Sequence, residues 1–170
     1  MAYVVLQQVS SKYAKSNVGK TLEKPVALKY LERYIPAEKL RKIKEGYPEG
    51  HFYIWGAKFE RYHQIPKMIP GQSLVLFRRG RRVLRVGVIK DLFVCEELAL
   101  KLWGTDEVGD TWGIVYLMQK VRDVSIDAVK INEAIGRKPN DNWQGMTSVD
   151  GEKAAAAIGI VKAYLDEHQP

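Results

Sequence analysis

Apolar positions along this chain fall into short runs separated by turn residues, and their spacing changes from strand-like to helix-like several times. Tyr3 to Val9 is β-branched and aromatic at its start and predicts a first strand. The Lys/Ser/Asn-rich segment from Ser10 to Lys24 shows no such run. Pro25 to Tyr34 and Pro36 to Lys44 read as short amphipathic helices. In the second, Leu40 and Ile43 point inward, and Pro36 to Glu38 make a favourable start. Gly46, Pro48 and Gly50 end that pattern, so a strand is expected from His51 to Trp55. Ser73–Phe77 and Val83–Ile89 form the clearest hairpin, with RRGRR as its turn. Leu92 to Leu102 is helical in period, Gly113 to Val121 reads as a strand, and Ile126 to Ile135 as a short helix. After a loop from Gly136 to Thr147, Ser148 or Asp150 caps a last helix to about Glu167, which buries Ala155, Ile158, Val161 and Leu165.

Strands and helices are interspersed without a repeat, a low-complexity tract or a linker. One mixed α/β (α+β), barrel-like domain spanning 1–170 follows, and at 170 residues it can bury a core unaided. Hydrophobic residues make up 46% and charged residues 28%, which suits a globular chain rather than a disordered one. The apolar runs are too short to cross a membrane, and MAYVVLQQV has neither a basic leader nor a small-residue cleavage site. The lone Cys95, in LFVCEEL, excludes an internal disulfide and a cysteine-rich zinc site. A cytoplasmic protein is expected.

The net charge of +7 suggests a polyanionic partner, and FRRGRRVLR (Phe77 to Arg85) packs five arginines into nine residues. Catalytic signals fail one by one. SNVGKT (Ser16 to Thr21) lacks the first glycine of a phosphate-binding loop, Ala14 standing in its place. His51, His63 and His168 have no metal-ligand spacing, and neither a zinc-deaminase pattern nor G-x-S-x-G occurs. Asp106, Glu107 and Asp110 could serve as acid and base, but carboxylates in a glycine-bearing loop are usually only solvated. No catalytic residue, metal site or cofactor is expected.

What remains is a basic hairpin and tryptophans close to turns. LWGTDEVGDTW (Leu102 to Trp112) sets two of the four tryptophans nine positions apart around a polar loop. Cationic side chains to hold phosphates, with aromatics to stack a base, suit a nucleic-acid-binding module.

Several ordered stretches resemble the EVE and YTH domain families. MAYVVLQQVSSKY is similar to the opening EVE strand and turn. WGAKFERYHQIPKMIPGQSLVLF resembles the EVE stretch from a pocket tryptophan into an apolar strand, with Gly71-Gln72 where Gly-Asp is usual. LRVGVIKDL resembles the glycine-bearing strand of both families. LWGTDEVGDTW with RDVSI, and DGEKAAAAIGIVKAYL, are similar to the YTH tryptophan segment and terminal helix. The match spans most of the chain except about 14–53, which reads as an insertion.

The resemblance implies a PUA-like, YTH-like curved β-barrel flanked by helices. It also implies a reader that flips a modified base, N6-methyladenine above all, into an aromatic cage. It is most like the N-terminal DNA-recognition domain of archaeal McrB-type restriction proteins, where an AAA+ motor is the attached partner. Modified double-stranded DNA is the expected ligand, with RNA bound by a PUA-like module as the alternative; a small nucleotide-processing enzyme using Asp106 or Asp110 is a third reading. By resemblance, Trp55 and Trp103 are the cage walls. The second YTH tryptophan falls at Val108, a departure that Trp112 could make good. Ser10, Ser11, Tyr13 and Asp106 become candidate base-edge contacts. Arg78, Arg79, Arg81 and Arg82, with Lys15 and Lys20, are expected on the phosphates. Trp143 has no cage counterpart and is expected to pack or to act as a lid.

Overall fold

The computed structural model describes residues 2–169. Its strands are β1 (Tyr3–Gln8), β2 (Val26–Ala27), β3 (His51–Ala57), β4 (Leu74–Arg79), β5 (Arg82–Val94), β6 (Ile114–Asp127) and β7 (Met146–Asp150). They join in the order β2-β3-β6-β5-β4-β1-β7. β1 and β4 run parallel, and the other neighbouring pairs are antiparallel. The helices are α1 (Lys12–Thr21), α2 (Ala37–Gly46), α3 (Glu96–Trp103), α4 (Ala128–Ala134) and α5 (Gly151–Glu167). Among the described residues no helix is long and apolar enough to cross a membrane.

Successive strand residues face opposite sides of a sheet, and the core sorts accordingly. Val4, Leu6 and Leu76 face α4 and α5, whereas Val5, Val75 and Phe77 face the other way. The long strand β6 serves both sides of its sheet. Ile114, Tyr116 and Met118 join Val5 and Phe77, while Val115 and Leu117 pack with residues of α2 and α3.

In a flat sheet β3 and β7 would be five strand spacings apart, about 24 Å. Yet Trp55 of β3 and Met146 of β7 share one core cluster and line one cleft. The sheet is therefore strongly curved. A 3-10 strap, Phe59–Lys67, leaves β3 and crosses to β7. There Arg61 Nη2 donates to the Gln144 carbonyl at 2.8 Å, Ser148 Oγ donates to Gln64 Oε1, and Lys67 Nζ lies 3.8 Å from Asp150.

Several expected elements change. The polar segment after β1 is a helix, α1, capped by Ser11 Oγ, which accepts from the Ala14 amide at 3.1 Å. Val18 is its only buried large apolar residue, and serine, asparagine and glycine are weak helix formers. The helix therefore leaves no amphipathic signature. Gly19 lies inside it, so SNVGKT is a helical turn and not a phosphate-wrapping loop.

Pro25 to Tyr34 is not a helix. Val26 and Ala27 pair with Phe52 and His51, and only Leu28–Leu31 makes a 3-10 turn. β5 runs on to Val94, so α3 begins at Glu96. β6 continues to Asp127, which caps α4 by accepting from the Val129 amide at 3.0 Å. The end of the expected 136–147 loop enters the short edge strand β7. On α5 the buried positions are Ala154, Ala157 and Val161; Ala155 is exposed, and Ile158 and Leu165 are only half-buried.

Candidate nucleic-acid interface

A cleft of about 430 Å³ opens where β1, β3 and β7 converge. Trp55, Gly56 and Ala57 from β3 line it, with Gln7 and Gln8 from β1. Ser11, Tyr13 and Ala14 from the start of α1, the loop residues Asp106, Glu107 and Trp112, and Gly145–Met146 complete the wall. The strap adds Glu60 and Arg61, and Lys58 precedes it. The N-terminal turn, Trp55 and the LWGTDEVGDTW loop, distant in sequence, thus meet at one concavity.

The two tryptophans of that loop part company. Trp103, at the end of α3, is only 6% exposed and packs among Leu31, Ile54, Phe93 and Val115. Its Nε1 donates to Thr21 Oγ1 at 3.0 Å, which satisfies the indole within the core. It does not line the cleft. Trp55 is 5% exposed and does line it, but its ring lies 6.0 Å from that of Trp103, tilted by 59°. That is direct aromatic contact, so no slot for a base exists between them. The expectation of a Trp55–Trp103 sandwich is corrected on this geometry. A methyl-sized Cβ at Gly56 would sit 2.6 Å from the Trp103 ring and 2.5 Å from the Trp112 carbonyl, which fixes glycine at that position.

Trp112 is half-buried on the cleft, 6.2 Å from the Tyr13 ring at an interplanar angle of 48°. Lys12 Nζ lies 5.0 Å from the Tyr13 centroid. The aromatic lining is therefore Trp55, Tyr13 and Trp112. Val108 is 73% exposed at the tip of the loop and does not line the cleft.

Asp106 organises the loop. Its Oδ1 accepts from the amides of Val108 at 3.1 Å and Asp110 at 2.9 Å, and its Oδ2 is ion-paired with Lys58 Nζ. Lys58, foremost, holds the Asp106 carboxyl below its ordinary pKa, and the carboxylate raises the lysine. Glu107 and Tyr13 shift each other, the neighbouring phenol holding the carboxyl below its ordinary pKa and the carboxylate raising the phenol. With both carboxylate oxygens engaged, Asp106 holds the shape of the cleft wall. Ser11 Oγ accepts in the helix cap while the residue lines the cleft. Ser10 does not line the cleft; its Oγ accepts from the Gly80 amide at 3.1 Å and pins the arginine turn one residue from the cleft wall.

The arginines divide too. Arg78 is buried: Nε donates to the Gly80 carbonyl at 2.7 Å, Nη1 donates to the Asp141 carbonyl at 2.5 Å, and the guanidinium lies 5.1 Å from the Trp143 centroid. Burial lowers its pKa. It is a structural residue, and its place among the phosphate contacts is corrected. Arg79 is half-buried, whereas Arg81 and Arg82 stand exposed in the turn, and Lys15 and Lys20 are exposed on α1. Lys20 Nζ donates to Asn17 Oδ1 at 3.2 Å. Trp143 is packing: 1% exposed, its Nε1 donates to Asn132 Oδ1 at 2.7 Å.

Sequence reasoning missed Lys58, Arg61 and the Trp143–Gly145 turn. Trp143, Gln144 and Gly145 have φ of 68°, 36° and 83°. Two consecutive non-glycine residues in that region carry strain of the kind concentrated at functional sites. Their sequence signal was NWQG, a single glycine after a polar run. Among the described residues no cluster of three His, Cys, Asp or Glu could hold a metal.

No family model and no curated protein matches the chain. Among solved structures it is similar to the N-terminal domain of Thermococcus gammatolerans McrB bound to m5C DNA. The identity is 18%, the TM-score 0.67, and the match covers 95% of this chain and 98% of that one. Mixed α/β with a curved seven-stranded sheet, the chain has the PUA-like fold of that McrB domain.

Proposed function

We propose that this protein reads a modified base in double-stranded DNA by drawing the nucleotide into the cleft lined by Trp55, Tyr13 and Trp112. One observation carries the reading: an aromatic cleft large enough for a base, with the exposed Arg81 and Arg82 turn tethered beside it through Ser10. The likeness to a McrB domain bound to methylated DNA supports it. Arg81, Arg82, Lys15 and Lys20 engage phosphates, which supplies the salt-dependent share of affinity. Extruding the nucleotide costs a few kcal/mol, regained by stacking on the cleft aromatics at about 1–3 kcal/mol per base.

N6-methyladenine is the base expected from the YTH-like segments, and 5-methylcytosine the one suggested by the McrB likeness. Burying one methyl gains only about 0.8 kcal/mol, so a purely apolar contact cannot give strong discrimination. Polar groups left unpaired by the wrong base must supply the rest. In a cell the domain would target a modification-dependent restriction complex whose AAA+ motor lies on another segment or subunit.

The test is fluorescence polarisation with matched duplexes carrying N6-methyladenine, 5-methylcytosine or neither, beside the corresponding RNAs. A preference for one methylated duplex is expected. Equal binding to methylated and unmethylated duplexes would sink the reading, and a preference for RNA would turn it into a PUA-like RNA-binding module.

A further inference from the structure

The strap that closes the sheet carries a feature the cleft does not use. Phe59 and Tyr62 are 50% and 55% exposed, and their rings stack at 5.4 Å with an interplanar angle of 21°. The backbone accounts for the pairing, because side chains three residues apart eclipse one another in a 3-10 helix. The same strap turns Glu60 and Arg61 to the cleft, next to Lys58. A flat aromatic step therefore sits on the solvent side of the cleft rim, with Lys58, Arg61 and Lys67 along its strap. Two half-exposed rings leave apolar area in water that a partner could cover. Lys58, Arg61 and Lys67 are already paired with Asp106, Glu60 and Asp150, so the flat rings rather than free charge select the partner, one with π-faces of its own.

Resting on the base-reader proposal above, we propose that the Phe59–Tyr62 step is a stacking platform for the orphaned base, the one left without its partner when the modified nucleotide enters the cleft. Extrusion removes both a pairing and a stacking partner from the remaining bases. An aromatic face at the rim restores the stacking without reading sequence, since every base has a π-face. Apolar side chains at such steps are a recurrent way to hold a duplex deformed. The platform thus makes the cleft usable on paired DNA.

The experiment compares three probes of one sequence carrying the preferred methylated base. They are a fully paired duplex, a duplex with an abasic site opposite the methylated base, and the single strand. The Phe59→Ala/Tyr62→Ala double variant is expected to lose about 5- to 100-fold in affinity for the paired duplex and to keep wild-type affinity for the other two, which contain no orphaned base. A Phe59→Leu/Tyr62→Leu variant keeps apolar bulk on the strap but removes the flat face, and should show the same selective loss. With 2-aminopurine as the opposing base, wild-type protein should quench its fluorescence and the double variant should not. Unchanged affinity for the paired duplex, or equal loss on all three probes, would overturn the platform, the latter marking a general contact or a site for another protein. Absence of methyl preference in the unmutated protein would instead refute the base-reader reading and this proposal with it.

Discussion

Trp103 and Trp112 flank one loop, are the same residue type and stand nine positions apart, yet they do opposite work. Trp103 ends a helix whose buried face is committed to α2 and the sheet, and Thr21 satisfies its indole N–H. Trp112 precedes β6, lies half-buried against Tyr13 and faces the cleft. The loop does reach the cleft, but only Trp112 lines it and Trp103 belongs to the core. The difference teaches that an aromatic's role depends on which element fixes its Cα–Cβ direction and on whether its polar atom has found a partner. The arginine hairpin repeats the lesson: Arg78 is spent on two carbonyls and Trp143, while Arg81 projects into solvent three residues on.

The sharpest way to break the comparison is to truncate each tryptophan. Trp103→Ala should destabilise the protein by about 3–5 kcal/mol, the range for large aromatic deletions in cores, as read by denaturant unfolding. Trp112→Ala should cost much less stability but about 1–3 kcal/mol of affinity for methylated DNA, the worth of one aromatic stacking contact. Equal destabilisation by both would make Trp112 a core residue after all.

A smaller effect separates the arginines. Arg78→Ala removes a buried guanidinium and its two donated hydrogen bonds, to the Gly80 and Asp141 carbonyls, and should lower stability by about 1.5–3 kcal/mol. Arg81→Ala should leave stability unchanged, weaken all DNA equally and reduce the slope of log affinity against log salt by about 1. A stable Arg78→Ala protein with a reduced salt slope would return Arg78 to the phosphate contacts.

The smallest effect concerns the loop itself. The Asp106 pKa is lowered in the folded protein, so its ion pair and turn contribute above the ordinary value of 3.8 and are lost as pH falls through the lower folded value. Lys58 is shifted the other way; its share is present below 10.5 and lost as pH rises through its higher folded value. Between these limits the cleft should hold its shape. NMR titration of the Val108 and Asp110 amides should give a midpoint below 3.8, and Lys58→Ala should move it back up. An unchanged midpoint would remove the ion pair as the cause.

Much of the architecture was legible because local rules agreed there. The arginine hairpin combines strand runs with a glycine turn, the helix at 37–46 has a favourable start and buries Leu40 and Ile43 as expected, and 151–167 was legible as a helix though only Val161 of its expected buried face is buried. Where local rules were silent, the reading failed. α1 hides because Thr21 and Asn17 are buried beside Val18, so its inward face looks polar. β7 hides because a five-residue edge strand gains its meaning only by pairing with β1. Trp55, Tyr13 and Trp112 were each singled out, but Lys58 and Arg61 were not. Nothing in the local sequence says that the strap after β3 must cross to β7.

By itself, the sequence determined the element types with strong periods, the mixed α/β class, the positive charge and its concentration in one turn. These depend on residues near one another along the chain. Only the tertiary structure decided which aromatics are available to a ligand and which cations are free. Availability depends on contacts made across the fold, where Thr21 reaches Trp103, Asp141 reaches Arg78, and curvature brings Met146 to Trp55.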